Sequence, residues 1–381
     1  MGLFRNDAPV LIYILHSGNL YGTERMALAT MEGMDEYATR VVVAPRPGGS
    51  ASVTVAAASA GFETVNFLTR KQLLRGLLPY FLKNRVIDVI GVGVGSSLMC
   101  HALAKLLRVR LRQLQVAHGG TADWCAYGRK HLLNKIPIGM VAVSDFVKQK
   151  LLDHNVRPES ICVIDNFLSH SQRLEYSQRA AYDTALPGAR PVDPERLRVA
   201  IVSRVDAIKR LDVMVDAIER HGLGQFQFDV YGTGEQFALM RERTASMDNI
   251  TFHGFASDVK DRLKNADLLL HLCPDEPFGL VILEAFLSRL VAAVPDTGGA
   301  GSIVQDGVTG LHFKANDADD LTRVLHVART SSAQALQRLA DTAAEVLDQR
   351  FAQAEGIRRY RRALEDAGGT RALRRRRLAV G

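Results

Sequence analysis

Four cysteines, Cys100, Cys125, Cys162 and Cys273, are all that the 381 residues contain. They form no Cys-x-x-Cys pair and have no histidine at ligand spacing. That excludes a disulfide framework and a thiolate zinc site, and it predicts a reducing, cytoplasmic setting. Long hydrophobic runs are also missing. The N-terminal stretch Val10 to Leu15 is six residues long, too short to cross a bilayer and without a small-residue cleavage site, so it reads as a first buried strand. Asn6 stands where a myristoylation pattern on Gly2 would need Ser or Thr. No GxGxxG follows the first strand, and the second strand, reading VVVAPRPGG, carries no acid at its end, which counts against a dinucleotide-dependent oxidoreductase or epimerase. No Asp-x-Asp stands at a strand end, because Asp317-Ala318-Asp319 opens a helix and reads as an N-cap. Neither a metal nor a resident cofactor is expected.

The net charge of +7 would suggest a nucleic-acid or membrane partner if it were spread over the body of the chain. Between Ile357 and Gly381, however, nine arginines face only Glu365 and Asp366, and this segment carries the whole excess. The remainder is balanced, so no nucleic-acid partner is expected. The run Arg374 to Arg377 reads as a solvated basic end that can reach anionic headgroups.

With 47% apolar and 23% charged residues, the chain is globular and long enough for two cores. From residue 10 to about 167 strand-like runs (VLIYIL, TRVVVA, TVNF, VIDVIGV, LQVA, GMVAV, SICVI) alternate with helical patterns. Residues 171–196 lose that periodicity and end in Pro187, Pro191 and Pro194, the composition of a linker. Alternation resumes with LRVAIVS, FQFDVYG, ITFHGF, DLLLHL, VAAV and TGLHF, and helical patterns close the chain. The fold class predicted is α/β, with two Rossmann-like domains facing each other across a cleft. The boundaries are 1–170, a linker at 171–196, 197–349, a helix at 350–366 that crosses back to the first domain, and a basic tail at 367–381.

The chain is organised around Ala266 to Phe286, reading ADLLLHLCPDEPFGLVILEAF. An apolar strand meets a Pro-Asp-Glu-Pro turn and passes into an apolar helix. Pro277 suits a first helical turn and Gly279 a close backbone approach. Free amides at Phe278, Gly279 and Leu280 favour phosphate or a hydroxyl. Glu284, surrounded by apolar residues, needs a hydrogen-bonding partner such as a diol. Taken alone, Glu276 reads as a helix cap and Glu284 as half of an ordinary buried ion pair. Other strand ends add SGNLYGTE (17–24) with Gly22, His118 in QVAHGGT, Arg204 and Lys209 in SRVDAIKRLD, Gly232 in YGTGE, and Gly254 with Phe255 in ITFHGF.

Taken in order, these motifs resemble the retaining, nucleotide-sugar-dependent glycosyltransferases of family 4, the "glycosyl transferases group 1" type, whose two-domain fold is called GT-B. EPFGLVILEA carries the family's two glutamates eight positions apart. SRVDAIKRLD, YGTGE and ITFHGF precede it, the Thr297–Gly299 turn and DGVTGLHF come after it, and YGTE, QVAH, VAVSDFVKQKL and CVIDNF stand in the first domain. Three departures stand out. Phe167 replaces a usual glycine, Ser302 replaces the glutamate of Gly-Gly-x-x-Glu, and Arg289 replaces another glycine.

The resemblance implies an acceptor-side first domain and a donor-binding second domain. It implies that Arg204 and Lys209 bind the donor diphosphate in place of a metal, Glu284 the ribose, and Glu276 with the amides of Phe278 to Leu280 the transferred sugar. Gly22, Gly232, Gly254 and Phe255 complete the donor site, and His118 contacts the sugar near the acceptor. The expected catalytic set is Glu276, His118, Arg204 and Lys209, and UDP is the first expectation for the nucleotide, GDP the second. The expected acceptor is a glycan, a lipid-linked or a small-molecule hydroxyl in glycoconjugate assembly. Basic and apolar residues interleave at 71–85, 101–114 and 127–137, so a peripheral position at an anionic inner membrane face is part of the same expectation. The alternatives are a catalytically silent nucleotide-sugar or carbohydrate-binding GT-B protein and, less favoured, a Rossmann oxidoreductase or epimerase.

Overall fold

Runs of Val, Ile and Leu without polar alternation suit strands covered on both faces, the condition of a parallel sheet with helices on each side. The computed structural model describes residues 7–46, 52–119, 124–174, 196–256 and 258–368. Most of the expected linker (175–195) and of the basic tail (369–381) lies outside the described residues. The chain forms two units. Unit 1 takes the chain to Ser169 and again from Gln353, and unit 2 takes His170–Ala352.

Unit 1 is built on seven parallel strands, β1 (Val10–Ile14), β2 (Thr39–Pro45), β3 (Glu63–Phe67), β4 (Val86–Gly91), β5 (Arg110–Ala117), β6 (Gly139–Ala142) and β7 (Ile161–Val163), in the order β3-β2-β1-β4-β5-β6-β7. All five residues of β1 are buried, and Ile12, Ile14, Val41, Val43, Leu77, Phe81 and Val89 share one core. Ser144 starts the next helix, its Oγ accepting from the Val147 N–H at 3.2 Å. Helix Gln353–Ala367 packs on β5 and β6 and beside helix Gly22–Gly33. Gly356 in that helix lies against the Phe167 ring, so closely that a Cβ would come within 2.3 Å of it. The bulk of Phe167 is thus taken up by a missing side chain across from it.

Unit 2 carries β8 (Leu197–Val202), β9 (Phe226–Tyr231), β10 (Ile250–Gly254), β11 (Leu268–Leu270), β12 (Ala292–Pro295) and β13 (Leu311–Phe313), all parallel, in the order β10-β9-β8-β11-β12-β13. Phe226, Phe228 and Val230 alternate into its core with Val199, Ile201, Leu268 and Leu270, the period of two that a strand imposes. Asp317 caps its helix by accepting from the Asp319 and Asp320 amides.

The strand order reverses once in each sheet, between β1 and β4 and between β8 and β11. At such a point successive connections leave toward opposite sides and open a crevice beyond the carboxyl ends of the strands. Two local expectations need correction. The strand in the organising stretch stops at Leu270, and the next helix runs Leu280–Leu287. Pro277 therefore lies in the preceding loop, because Gly279, at φ +93°, makes the left-handed entry that a first-turn proline would not need.

Candidate functional site

The crevice of unit 2 is built from the segments that leave β8 and β11. Past β8, half-exposed Arg204 pairs through Nη1 with Asp206 Oδ2 at 2.5 Å. Asp206 also accepts from the Glu235 N–H of the YGTGE turn at 3.1 Å. A short 3-10 turn, Ala207–Lys209, then brings Lys209 round, and its Nζ donates to Glu276 Oε2 at 2.6 Å. The two side chains are only 18% and 14% exposed.

Burial opposes charge on both partners. It would raise the Glu276 carboxyl, but the Lys209 charge, with His271, holds it well below the usual carboxylate range. It would lower the Lys209 ammonium, but Glu276 keeps it above its ordinary value, and the nearby Arg204 charge works the other way. Both are ions at neutral pH. The Nε2 of buried His271 lies 3.3 Å from Glu276 Oε2.

The loop carrying Glu276 is clamped by the Thr297–Gly299 turn. Thr297 Oγ1 donates to the Pro274 carbonyl at 3.0 Å, and the Gly299 N–H to the Glu276 carbonyl at 2.6 Å. A Cβ at Gly298 (φ +72°) would stand 2.4 Å from Pro274 O, and one at Gly299 2.2 Å from Pro277 O. Two glycines are therefore needed for the loop to seat. Ser302 turns its hydroxyl back onto the Gly299 carbonyl at 2.8 Å, inside its own helix.

Gly279 borders Glu276, Leu280 opens the helix, and Glu284 is buried one turn further on. The Phe278 ring packs edge-on against Phe351, centroids 5.8 Å apart, so its side chain belongs to the core and its part in a site is limited to its backbone. Gly232 passes so close to β8 that a Cβ would stand 1.9 Å from Ser203 O, and its N–H donates to the Gly254 carbonyl at 2.7 Å. Phe255, 77% exposed, comes directly after.

Gly22 and His118 lie in unit 1. Gly22 is the first residue of its helix, and the Tyr21 N–H donates to Glu24 Oε2 at 3.2 Å. The acid of YGTE thus serves its own helix start, its carboxyl pushed up by burial against the pull of those amides. His118 stands directly past β5. Its Nε2 is buried without a hydrogen-bond partner, and burial, then the charges of His16 and Lys130, push it down to about 3. Lys130 is buried too, its Nζ 3.5 Å from the Val92 carbonyl, and burial pushes it down to about 8. In segment 127–137 Tyr127, Lys130 and Leu133 are interior, while Arg129, Leu132 and Lys135 are exposed. Sequence reasoning passed over His16, Lys130 and His271. The available signal for His271 was a histidine inside the apolar run DLLLHL. Among the described residues no group of three or more His, Cys, Asp and Glu is placed to hold a metal ion.

Residues 185–345 match the model of the family described as Glycosyl transferases group 1. The putative glycosyltransferase ORF31 of a virus (isolate Australia/Victoria) is 32% identical over 111 residues, which are 27% of this chain and 34% of the viral protein. Granule-bound starch synthase 1 of Pisum sativum is 29% identical over 135 residues, which are 34% of this chain and 22% of the synthase. The chain thus spans about a third or less of these two curated relatives. Among solved structures, Anabaena Alr3699/HepE in complex with UDP-glucose superposes with a TM-score of 0.74 at 18% identity, over 93% of this chain and 99% of that one. A glycosyltransferase from Rickettsia africae ESF-5 does so with 0.72 at 16%, over 95% and 99%. At these identities the likeness is one of fold.

Proposed function

For a chain that has the GT-B fold and whose residues 185–345 match the glycosyl transferases group 1 model, we propose transfer of a glycosyl group from a nucleoside diphosphate sugar to an acceptor hydroxyl, with UDP the first choice of nucleotide and GDP the second. The observation that carries the proposal is the Lys209–Glu276 pair, ionised and shielded in the crevice of unit 2.

A departing diphosphate needs positive charge that is already in place, and Lys209 with the adjacent Arg204 supplies it. Two side-chain cations do the work of a divalent ion, so transfer without metal is part of the proposal. Glu276, held below the carboxylate range, has no proton to give at neutral pH and cannot act as a general acid. It accepts hydrogen bonds from hydroxyls of the transferred sugar, while the amide N–H groups of Phe278 to Leu280 donate to that sugar's oxygens. Glu284 takes the ribose, and Gly232, Gly254 and Phe255 border the nucleotide. As the resemblance implies, the acceptor oxygen bonds to the anomeric carbon on the face from which the phosphate departs, and its proton passes to that phosphate, which gives retention of configuration. Gly22 and His118 keep the roles that the resemblance implies, a loop amide against phosphate and a contact to the sugar.

The acceptor belongs to glycoconjugate assembly. We include a peripheral position at an anionic membrane surface, since Leu74, Leu78 and Leu106 are exposed among Arg70, Lys71, Arg75 and Lys105; no helix among the described residues is long and apolar enough to cross a membrane. Thermal shift with UDP, GDP and ADP tests the nucleotide reading, a ligand at a hundred times its Kd adding about 2.7 kcal/mol. No shift with any of them would sink it. A shift with UDP but no transfer to any of a panel of acceptors would favour a silent binder.

A further inference from the structure

His271 stands directly past β11, and its backbone N–H donates to the Ala293 carbonyl of β12 at 2.9 Å. The sheet register thus fixes where its short side chain starts. The residue is buried, and its Nε2 is cut off from solvent and makes no aligned hydrogen bond, yet Glu276 Oε2 lies 3.3 Å from it. Leaving a buried imidazole nitrogen unsatisfied is costly, and a leucine would fill the same place in DLLLHL without that cost. Lys209 Nζ reaches the same carboxylate oxygen at 2.6 Å. Two nitrogens from the ends of different strands therefore converge on Oε2, whereas Oε1 makes no hydrogen bond or ion pair among the described residues. One oxygen of Glu276 is held by the protein and the other is left for a ligand.

The two arms that hold Oε2 differ in stiffness. Lysine carries its charge on a long, flexible stem, and in the glycosyl-transfer reading Lys209 also has to meet the donor diphosphate. A second anion that competes for the ammonium loosens its grip on Glu276. The loop backbone is already clamped at the Glu276 carbonyl by the Gly299 N–H, so the torsions of the carboxylate are what remain to be fixed. We propose that His271 is a positioning residue for Glu276: with its proton on Nε2 it donates to Oε2 and holds the carboxylate when the diphosphate draws on Lys209, so that Oε1 stays turned to the transferred sugar. A ring set by the sheet gives up little freedom in making that bond, which keeps a binding group within the narrow geometry it needs. The role deepens the glycosyl-transfer reading and rests on it for the two ligands, whereas the His271 to Glu276 contact does not.

Imidazole nitrogen NMR of the full chain labelled at histidine, with the His271 signals identified by their loss in His271→Leu, tests the contact without turnover. The expected signature is a proton on Nε2 whose resonance is shifted by Glu276→Ala and, in the wild type, moves downfield when saturating UDP is added. An Nε2 without a proton overturns the proposal, as does a resonance that Glu276→Ala or bound UDP leaves unmoved. With UDP-glucose as donor, His271→Leu should lower kcat by about tenfold or more, the scale of one hydrogen bond to a charged group, while the Kd for UDP is unchanged and the Tm is no lower than that of the wild type. His271→Gln, whose amide nitrogen takes the place of Nε2, should recover most of that loss, and it gives a second reading should His271→Leu fail to fold. A kcat unchanged in His271→Leu, or a glutamine variant as slow as the leucine variant at equal Tm, would also overturn the role. Wild-type protein that binds no UDP counts against the donor reading, and the tautomer seen without nucleotide then decides the contact by itself.

Discussion

The two sheets reverse their strand order in the same way, yet their crevices are wired oppositely. In unit 2 the cation and the carboxylate are already joined, each keeping the other ionised. In unit 1 burial lowers three basic groups, His16, His118 and Lys130, and the Nε2 of His118 has no hydrogen-bond partner. The same topology can thus hold a preorganised ion pair, whose electrostatics exist before any ligand arrives, or buried basic groups held without such a counter-charge.

The sharpest way to break that contrast is at Lys209. Lys209→Ala should cut kcat/KM by about two to three orders of magnitude, and it should destabilise unit 2 by about 3 kcal/mol because Glu276 is left buried without a counter-charge. Adding Glu276→Ala should restore much of the stability and none of the activity. If the single variant unfolds at the wild-type denaturant concentration, the pair is not the internal unit described.

Next in size is the clamp. Gly299→Ala places a methyl against the Pro277 carbonyl and should cost on the order of 2 kcal/mol in urea unfolding, with activity falling as the Glu276 loop shifts. An unchanged midpoint would mean the loop has slack.

Acid should separate the two crevices. The pKa of His118, about 3, lies below its ordinary 6.5. The folded protein therefore binds fewer protons than the unfolded one between those values, and the stability tied to His118 is complete above pH 6.5 and lost as pH falls toward 3. Glu276, also depressed, has an ordinary value of 4.5, so its contribution is complete above that pH and lost only below it. In a pH series of Tm values, His118→Asn should flatten the upper limb and Glu276→Gln the lower. Identical profiles for both variants would erase the distinction.

The smallest effect belongs to Arg289, which takes the left-handed conformation (φ +53°) past the end of helix Leu280–Leu287 and pairs with Asp341. Arg289→Gly should relieve about 1 kcal/mol of backbone strain and lose a surface pair worth at most about as much. A net gain of about 0.5 kcal/mol is expected by thermal melting.

The sequence carried the strands and the polar residues beyond them because a charge or glycine ending an apolar run stands out against the period. That made Arg204, Lys209 and Glu276 legible. Their pairing was not, because Lys209 and Glu276 are 67 positions apart and only the register of β8 beside β11 joins them. Lys130 was hidden for a different reason. It sits in a short 3-10 segment, Lys130–Lys135, which has no 3.6-residue period to mark an inner face, so YGRKHLLNKIP looked like a basic surface. The arginine-rich end was also only half legible. Arg358 and Arg359 pair with Glu355, and Arg361 with Asp35 and Glu36, partners that composition cannot reveal.

Helix Gln353–Ala367 has a consequence for how the protein is made. Its buried Ile357, Tyr360 and Leu364 cover unit 1, whose other residues end at Ser169, while unit 2 is one uninterrupted stretch between them. On a ribosome adding about 5–20 residues per second, the part synthesised first must wait roughly ten to forty seconds for its last piece. Unit 2 can close as soon as it emerges, but unit 1 keeps an apolar face and the ring of Phe167 open to chaperones, or to another nascent chain, until that helix has been made.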